Sequence, residues 1–295
     1  MTALIKAEIA VIGAGVIGLA VAQRLRAGGR EVVVIDPAHP GSGASYGNAG
    51  TIADYAVLPV GTPDVLRNLP SMLFDKNSPL SIRRAALPSL APWLARFARQ
   101  SLPVAARRNS AALAVLLAES CSSWQRLAAE IGGGDILQNR GCLYLYHTKK
   151  DFQAAAADMA YRRGFGISVD LISPDDLARL EPGLPPVEGG AAFFPGAVFL
   201  NDPGRMMALL AADIPHIQAR VDWLGRRDGG VFLVGDGLRL QARQVVIAAG
   251  AHSKTLARMS GRLVSINEAP SYPIPDDTLV PYPRAPYPPP SLPAF

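Results

Sequence analysis

The segment that most restricts what this chain can become is Gly13-Ala14-Gly15-Val16-Ile17-Gly18. Residues 8–12 ahead of it are short and apolar, as a buried strand is, with Val11 and Ile12 leading into the turn. Residues 16–27 behind it have helical periodicity, placing Ile17, Ala20, Val21 and Leu25 on one face. Gly28-Gly29 closes that helix, and residues 31–35 form a second, valine-rich strand. Strand, tight turn, helix and strand within about 30 residues make one βαβ unit, which forces the two strands parallel.

The three glycines have separate jobs in such a unit. Gly13 permits the tight turn, Gly15 lets the main chain approach a pyrophosphate with no Cβ in the way, and Gly18 lets helix and strand pack closely. The helix N-terminus then offers free N–H groups and about half a positive charge to phosphate. Asp36 follows Gly18 by eighteen residues, at the end of the second strand, where a carboxylate accepts from ribose hydroxyls. A dinucleotide is therefore expected along Val11, Ile12, Gly13, Ala14, Gly15, Val16, Ile17 and Gly18, with Asp36 beside it. The motif alone does not separate NAD from FAD. The apolar run from Ile9 to Ala22 also resembles a secretion signal, but its internal glycines and the adjoining Glu8 favour the nucleotide unit.

Composition removes other classes. Of 295 residues, 49% are hydrophobic and 18% charged, so a folded chain is expected. The net charge of +5 comes mostly from arginine, spread in pairs such as Arg83-Arg84, Arg107-Arg108 and Arg162-Arg163, read as solvated helix faces. Such scatter argues against nucleic acid as a partner. Cys121 and Cys142 lie in no ligand pattern, and His39, His147, His216 and His252 do not cluster, so neither a metal nor a disulfide is expected. Reduced cysteines and the absence of a sufficiently long apolar run point to the cytoplasm, with no transmembrane segment.

Further along, residues 64–131 read as mostly helical, interrupted at Pro70, Pro79, Pro88, Pro92 and Pro103. The longest helix is placed at about 110–131 and stopped by Gly132-Gly133-Gly134. Residues 141–147 read as a strand and 149–163 as a helix. Strands follow at 191–194 and 198–200, then a helix after Asp202-Pro203. Residues 220–224, 231–234 and 238–240 suggest a meander, and 245–248 a separate buried strand. The last thirty residues contain ten prolines, which donate to no ladder.

Four segments in order carry a family resemblance: the glycine turn, the small-residue loop from Gly43 to Thr51, Leu180-Glu181-Pro182 with Asn201-Asp202-Pro203, and Val245 to His252. Together they resemble the D-amino-acid oxidase family of flavoenzymes, and within it the bacterial D-amino-acid dehydrogenase small subunits, over residues 1 to about 262. The resemblance implies an α/β fold: a Rossmann-type FAD-binding domain at 1–80 and 201–262, an interleaved α+β substrate domain at 81–200, and a remnant tail at 263–295. It implies FAD as cofactor, with Ser45 at the phosphates, Asn48, Ala49 and Gly50 beside the isoalloxazine, main-chain groups of Val221 at adenine, and Ala249 and Gly250 along the dinucleotide. Turn chemistry alone also accounts for Ser45 and Asn48, and core packing for Val221.

The implied reaction moves a hydride from the α-carbon of a D-amino acid or related amine to flavin N5. The imino acid then hydrolyses, and electrons pass to oxygen or to a quinone or other respiratory-chain acceptor. An acceptor of that kind implies a place at the inner face of the cell membrane. No catalytic side chain is assigned. His252 reads as a loop histidine, and Arg140 and Tyr144 lie on a substrate-domain strand where a carboxylate would arrive. Family members continue beyond Arg262-Leu263-Val264 through a large antiparallel sheet and a glycine-rich segment, and residues 207–221 look shortened beside them. A catalytically inactive remnant that at most binds a dinucleotide is therefore the competing expectation.

Overall fold

The computed structural model describes residues 3–74, 87–227 and 229–260. In chain order they form β1 (Ile5–Ile12), α1 (Val16–Ala27), β2 (Val32–Asp36), β3 (Thr51–Ile52), α2 (Pro63–Phe74), α3 (Leu87–Gln100), α4 (Pro103–Leu117) and α5 (Ser120–Glu130). Then come β4 (Leu137–Gln138), β5 (Cys142–Tyr146), α6 (Lys149–Arg163), β6 (Asp170–Ile172), α7 (Pro174–Leu180), β7 (Gly190–Phe194) and β8 (Val198–Leu200). The order closes with α8 (Pro203–Ala211), β9 (His216–Gln218), β10 (Trp223–Arg227), β11 (Gly230–Gly235), β12 (Leu238–Ile247) and α9 (Ser253–Met259). The expectations placed on Pro79, on Arg83-Arg84 and on the tail at 263–295 lie outside the described residues.

Spatial contacts group these elements into two units. The first comprises Met1–Gly50, Leu127–Leu137 and Leu200–Phe295; the second comprises Thr51–Arg126 and Gln138–Phe199. The chain thus changes unit directly after Gly50, ahead of the boundary at 80 drawn from the sequence.

In the first unit, one sheet runs in the order β10-β11-β12-β1-β2-β9. β1 pairs parallel with both β12 and β2, and β2 pairs parallel with β9, while β10, β11 and β12 are antiparallel. Val11 faces Val34 on one side and Val246 on the other. Strands covered on both faces read as continuous apolar runs, which is why β1 and β2 are rich in valine and isoleucine. Ala10, Ile35, Leu233, Leu240 and Ala242 share one buried cluster. Burying each such Val, Ile or Leu contributes about 1.5–3 kcal/mol relative to exposure.

Several sequence expectations change here. The meander strand at 238–240 and the apolar strand at 245–248 are one strand, β12. Its first half alternates buried and exposed where it pairs with β11, and its second half does not, so two patterns lie along a single strand. The first meander strand starts at Trp223 rather than at residue 220, leaving Val221 in the connection before it. The long helix at 110–131 is two helices, α4 and α5, split at Ala118-Glu119. Ala118 keeps helical dihedrals, so the apolar spacing carries across the break. Pro103 marks the break between α3 and α4 as the first residue of α4, whereas Pro70 and Pro92 lie inside α2 and α3 without interrupting them.

In the second unit, β7 is flanked by β5 and β6, both antiparallel to it, and β3 pairs antiparallel with β8. Met159 of α6 joins Ala192 and Phe194 of β7, with Tyr55 and Val169, in a second buried cluster. Caps set the helix starts. Thr148 accepts from Asp151 N–H and Ser173 from Asp176 N–H, each about 1 kcal/mol. Among the described residues no helix is long and apolar enough to cross a membrane, and no group of three or more His, Cys, Asp or Glu side chains is placed to hold a metal.

Candidate functional site

The glycine turn emerges at the end of β1, the central strand of its sheet. Gly13 N–H donates to Ile35 O at 2.8 Å, and Ala248 N–H donates to Ile12 O at 2.8 Å, so the turn is tied to both neighbouring strands. Gly13 has φ +110, and a Cβ there would strike the main chain of Ala248 and Ala249. A Cβ on Gly18 would collide with the Gly13 carbonyl oxygen. Both glycines are therefore demanded by the protein itself. Gly15 differs: its dihedrals suit any residue, and the nearest atom to an added Cβ is Ser45 Oγ at 3.3 Å. Apart from its chain neighbours, no other atom of the described residues lies within 4 Å, so open space faces Gly15, as a dinucleotide pyrophosphate requires.

The N-terminus of α1 has no cap from its own N-cap residue, Gly15. Ser45 supplies one from the following loop, its Oγ accepting from Val16 N–H at 2.9 Å. The hydroxyl proton is left to donate elsewhere, so Ser45 and the free N–H groups of α1 together suit a phosphate. Ala14 and Ile17 complete the turn; Ala14 is buried and Ile17 is exposed.

Asp36 ends β2 with both oxygens engaged. Oδ2 accepts from Ala14 N–H at 2.8 Å and Oδ1 from Ala38 N–H at 2.9 Å. Each oxygen retains a further lone-pair direction, so a ribose hydroxyl is still accommodated. The carboxylate thus also positions the turn, which its spacing alone did not reveal. Ala219 N–H donates to Asp36 O at 3.1 Å, and Asp222 N–H to Val234 O at 2.9 Å. The first bond brings the segment leading to Val221 beside Asp36 and the second ties it to β11, while the Val221 side chain packs into the core.

Asn48 closes its own loop. Its Nδ2 donates to Ser45 O at 2.8 Å and its Oδ1 accepts from Gly50 N–H at 2.7 Å. Gly50 has φ +64, and a Cβ there would meet Leu200 O at 2.7 Å. The adjacent Ala49 is exposed. Ala249 packs partly buried against the sheet core, and Gly250 opens a short turn through His252, which is exposed. The motifs around residues 181 and 202 are helix ends: Glu181 terminates α7, and Asp202 Oδ1 accepts from Arg205 N–H at 2.8 Å to start α8.

The second unit holds a polar cluster that sequence reading missed. Arg162, read as half of a solvated pair, is only 7% exposed. Its Nη1 donates to the Tyr55 carbonyl, and its guanidinium carbon lies 5.8 Å from the Tyr144 ring centre and 5.7 Å from that of Phe194. Nε is buried without a partner among the described residues. Arg163 also turns inward, donating through Nε and Nη2 to Val169 O at 3.0 and 2.7 Å. The last turn of α6 lies over the aromatic face of β5 and β7, and nothing in the local charge pattern signals that. Tyr55 stacks on Phe194 with centroids 4.4 Å apart, and burial, followed by the neighbouring Cys142 thiol, holds its phenol well above the ordinary value. Burial likewise raises the Tyr144 phenol.

Comparison with known proteins agrees with the fold and the turn. A family model described as DAO, FAD dependent oxidoreductase, matches residues 8–288. The chain is 29% identical over 267 residues to a D-amino-acid oxidase of Bradyrhizobium diazoefficiens, covering 86% of this chain and 62% of that protein. It is 29% identical over 268 residues to D-amino acid dehydrogenase 2 of Ralstonia nicotianae, covering 84% and 61%. The chain thus spans about three-fifths of the length of these relatives. Its fold is similar to that of glycine oxidase from Geobacillus kaustophilus, with a TM-score of 0.57 at 24% identity over 87% of this chain and 58% of that one. From the βαβ turn, its open glycine and a family match over most of its length, the chain belongs to the DAO family of FAD-dependent oxidoreductases.

Proposed function

We propose that this chain holds FAD in its first unit and serves the oxidation of D-amino acids or related amines. The observation that carries the reading is the open space before Gly15, flanked by the α1 N-terminus and the Ser45 hydroxyl. Bound there, FAD would supply the chemistry, a two-electron oxidation at the substrate α-carbon.

The protein's own residues bind and orient. Gly13, Gly15 and Gly18 leave room for the pyrophosphate, and the first N–H groups of α1 with Ser45 donate to it. Asp36 accepts from the adenosine ribose while holding Ala14 in place, and the main chain at Val221 meets adenine. Asn48 fixes the loop so that Ala49 and Gly50 run beside the flavin ring, with Ala249 and Gly250 along the dinucleotide. The final acceptor would be oxygen, or a quinone or other respiratory-chain acceptor at the inner face of the cell membrane. The names of the relatives, a D-amino-acid oxidase and a D-amino acid dehydrogenase, support this substrate class.

Thermal unfolding of apoprotein with FAD or with NAD, followed by dye-linked turnover on a panel of D-amino acids, tests the reading. FAD is expected to raise Tm and NAD to leave it unchanged. Greater stabilisation by NAD would overturn the cofactor assignment, and FAD binding without turnover on any D-amino acid or amine would overturn the substrate assignment.

A further inference from the structure

The second unit contains a cavity of about 330 Å³, a size that holds a small organic molecule. Its wall is divided almost evenly between polar and apolar surface; Tyr55, Phe165, Ile167 and Phe194 are its large side chains, and Ala114 of α4 contributes only a methyl group. Asp54 and Ser168 add polar groups, and no arginine, lysine or histidine lines it. Among the described residues Asp54 has no cation at ion-pairing distance. Its neighbour is the Cys121 thiol, which burial and then the Asp54 charge push up to about 11, so that neighbour is neutral at ordinary pH. The result is a carboxylate beside aromatic and aliphatic side chains, with no counter-ion among the described residues.

We propose that this cavity binds a primary ammonium carried on a compact apolar body, the ammonium meeting Asp54 and the body lying against Phe165, Ile167 and Phe194. Three considerations select that chemistry. A neutral apolar ligand would strip water from the carboxylate and return nothing for it. A single carboxylate offers a hard divalent cation too few oxygen ligands. An ammonium has three donors, enough for Asp54 and the Ser168 hydroxyl together, and its cationic end is also attracted to an aromatic face. Every residue involved lies in the unit formed by Thr51–Arg126 and Gln138–Phe199, so the inference does not rest on the flavin reading above.

Isothermal titration calorimetry on the full chain at fixed ionic strength tests it with cyclohexylammonium, cyclohexanol and cyclohexanecarboxylate as probes. The ammonium is expected to bind at least about tenfold more tightly than the alcohol, and the carboxylate to give no heat. Asp54→Asn removes the charge while keeping the shape, so ammonium affinity should fall to that of the alcohol. Ala114→Leu fills the cavity and should abolish binding of both, with circular dichroism confirming that each variant is folded. Should Asp54→Asn fail to fold, the wild-type preference among the three probes still decides. Absence of ammonium binding at millimolar concentration, equal affinity for ammonium and alcohol, or an undiminished affinity in folded Asp54→Asn would each overturn the proposal.

Discussion

Replacing Gly15 by alanine should separate cofactor binding from folding. Gly15 has φ −76 and ψ 178, which alanine adopts without strain, and its added Cβ would meet only Ser45 Oγ at 3.3 Å. Two opposing effects act on the apoprotein. A stiffer unfolded chain stabilises by about 0.4–1 kcal/mol. Displacing Ser45 by a few tenths of an ångström weakens its cap on Val16 N–H, which as a whole is worth about 0.5–2 kcal/mol. The net change should lie within about 1.5 kcal/mol of zero, a Tm shift of a few degrees for a protein of this size. Gly13→Ala is the contrast: φ +110 strains the backbone and the new Cβ strikes Ala248 and Ala249, together about 2–5 kcal/mol. With FAD at a hundred times its dissociation constant, wild type gains about 2.7 kcal/mol, and Gly15→Ala should gain almost none because the methyl group occupies the pyrophosphate's space. Thermal scans with and without FAD read both quantities. An apo Gly15→Ala protein as unstable as Gly13→Ala, or one that keeps the full FAD gain, would refute the argument.

Asp36→Ala should destabilise the apoprotein by about 1–3 kcal/mol, because Ala14 and Ala38 N–H lose their acceptor, and should weaken FAD binding as well. Urea unfolding without cofactor checks this, and a wild-type midpoint would show that the carboxylate serves only a ligand. Cys121 gives a pH dependence. Its thiol rises from an ordinary 9.0 to about 11 on folding, so the folded chain holds that proton more tightly than the unfolded chain. The corresponding stability is complete below about pH 9 and is lost as pH rises from 9 towards 11. Urea midpoints across that range should fall more steeply for wild type than for Cys121→Ala, and parallel slopes would contradict the assignment.

Several elements of both units were legible before any coordinates. The helix at 16–27 and the helix at 149–163 have the expected limits, because a glycine or a capping residue within a few positions sets each end. The parallel pairing of β1 and β2 followed from the short connection through α1, which leaves no antiparallel alternative. The ends of β12 were not legible, since its first half alternates with buried Leu238, Leu240 and Ala242 and its second half does not alternate, so one element carries two patterns. Periodicity likewise ran through Ala118, whose dihedrals stay helical although the helix does not continue.

The site divides along the same line. Gly13, Gly15 and Gly18 were marked by a local motif, and only the folded chain distinguishes the two that protein atoms crowd from the one that faces open space. Spacing put Asp36 at the strand end; tertiary structure made it the acceptor for Ala14, and made Ser45, from a loop beyond β2, the cap of α1. Arg162 is the sharpest case. Beside Arg163 it reads as half of a solvated pair, yet the rings of Tyr144 and Phe194 and the carbonyl of Tyr55 bury it. Sequence by itself determined what depends on dihedrals and spacing within a turn or two, because those forces act between near neighbours. Which charges are buried, which glycines face space and which hydroxyl caps a helix were decided by strands and loops brought together from distant parts of the chain, and no local pattern encodes that pairing.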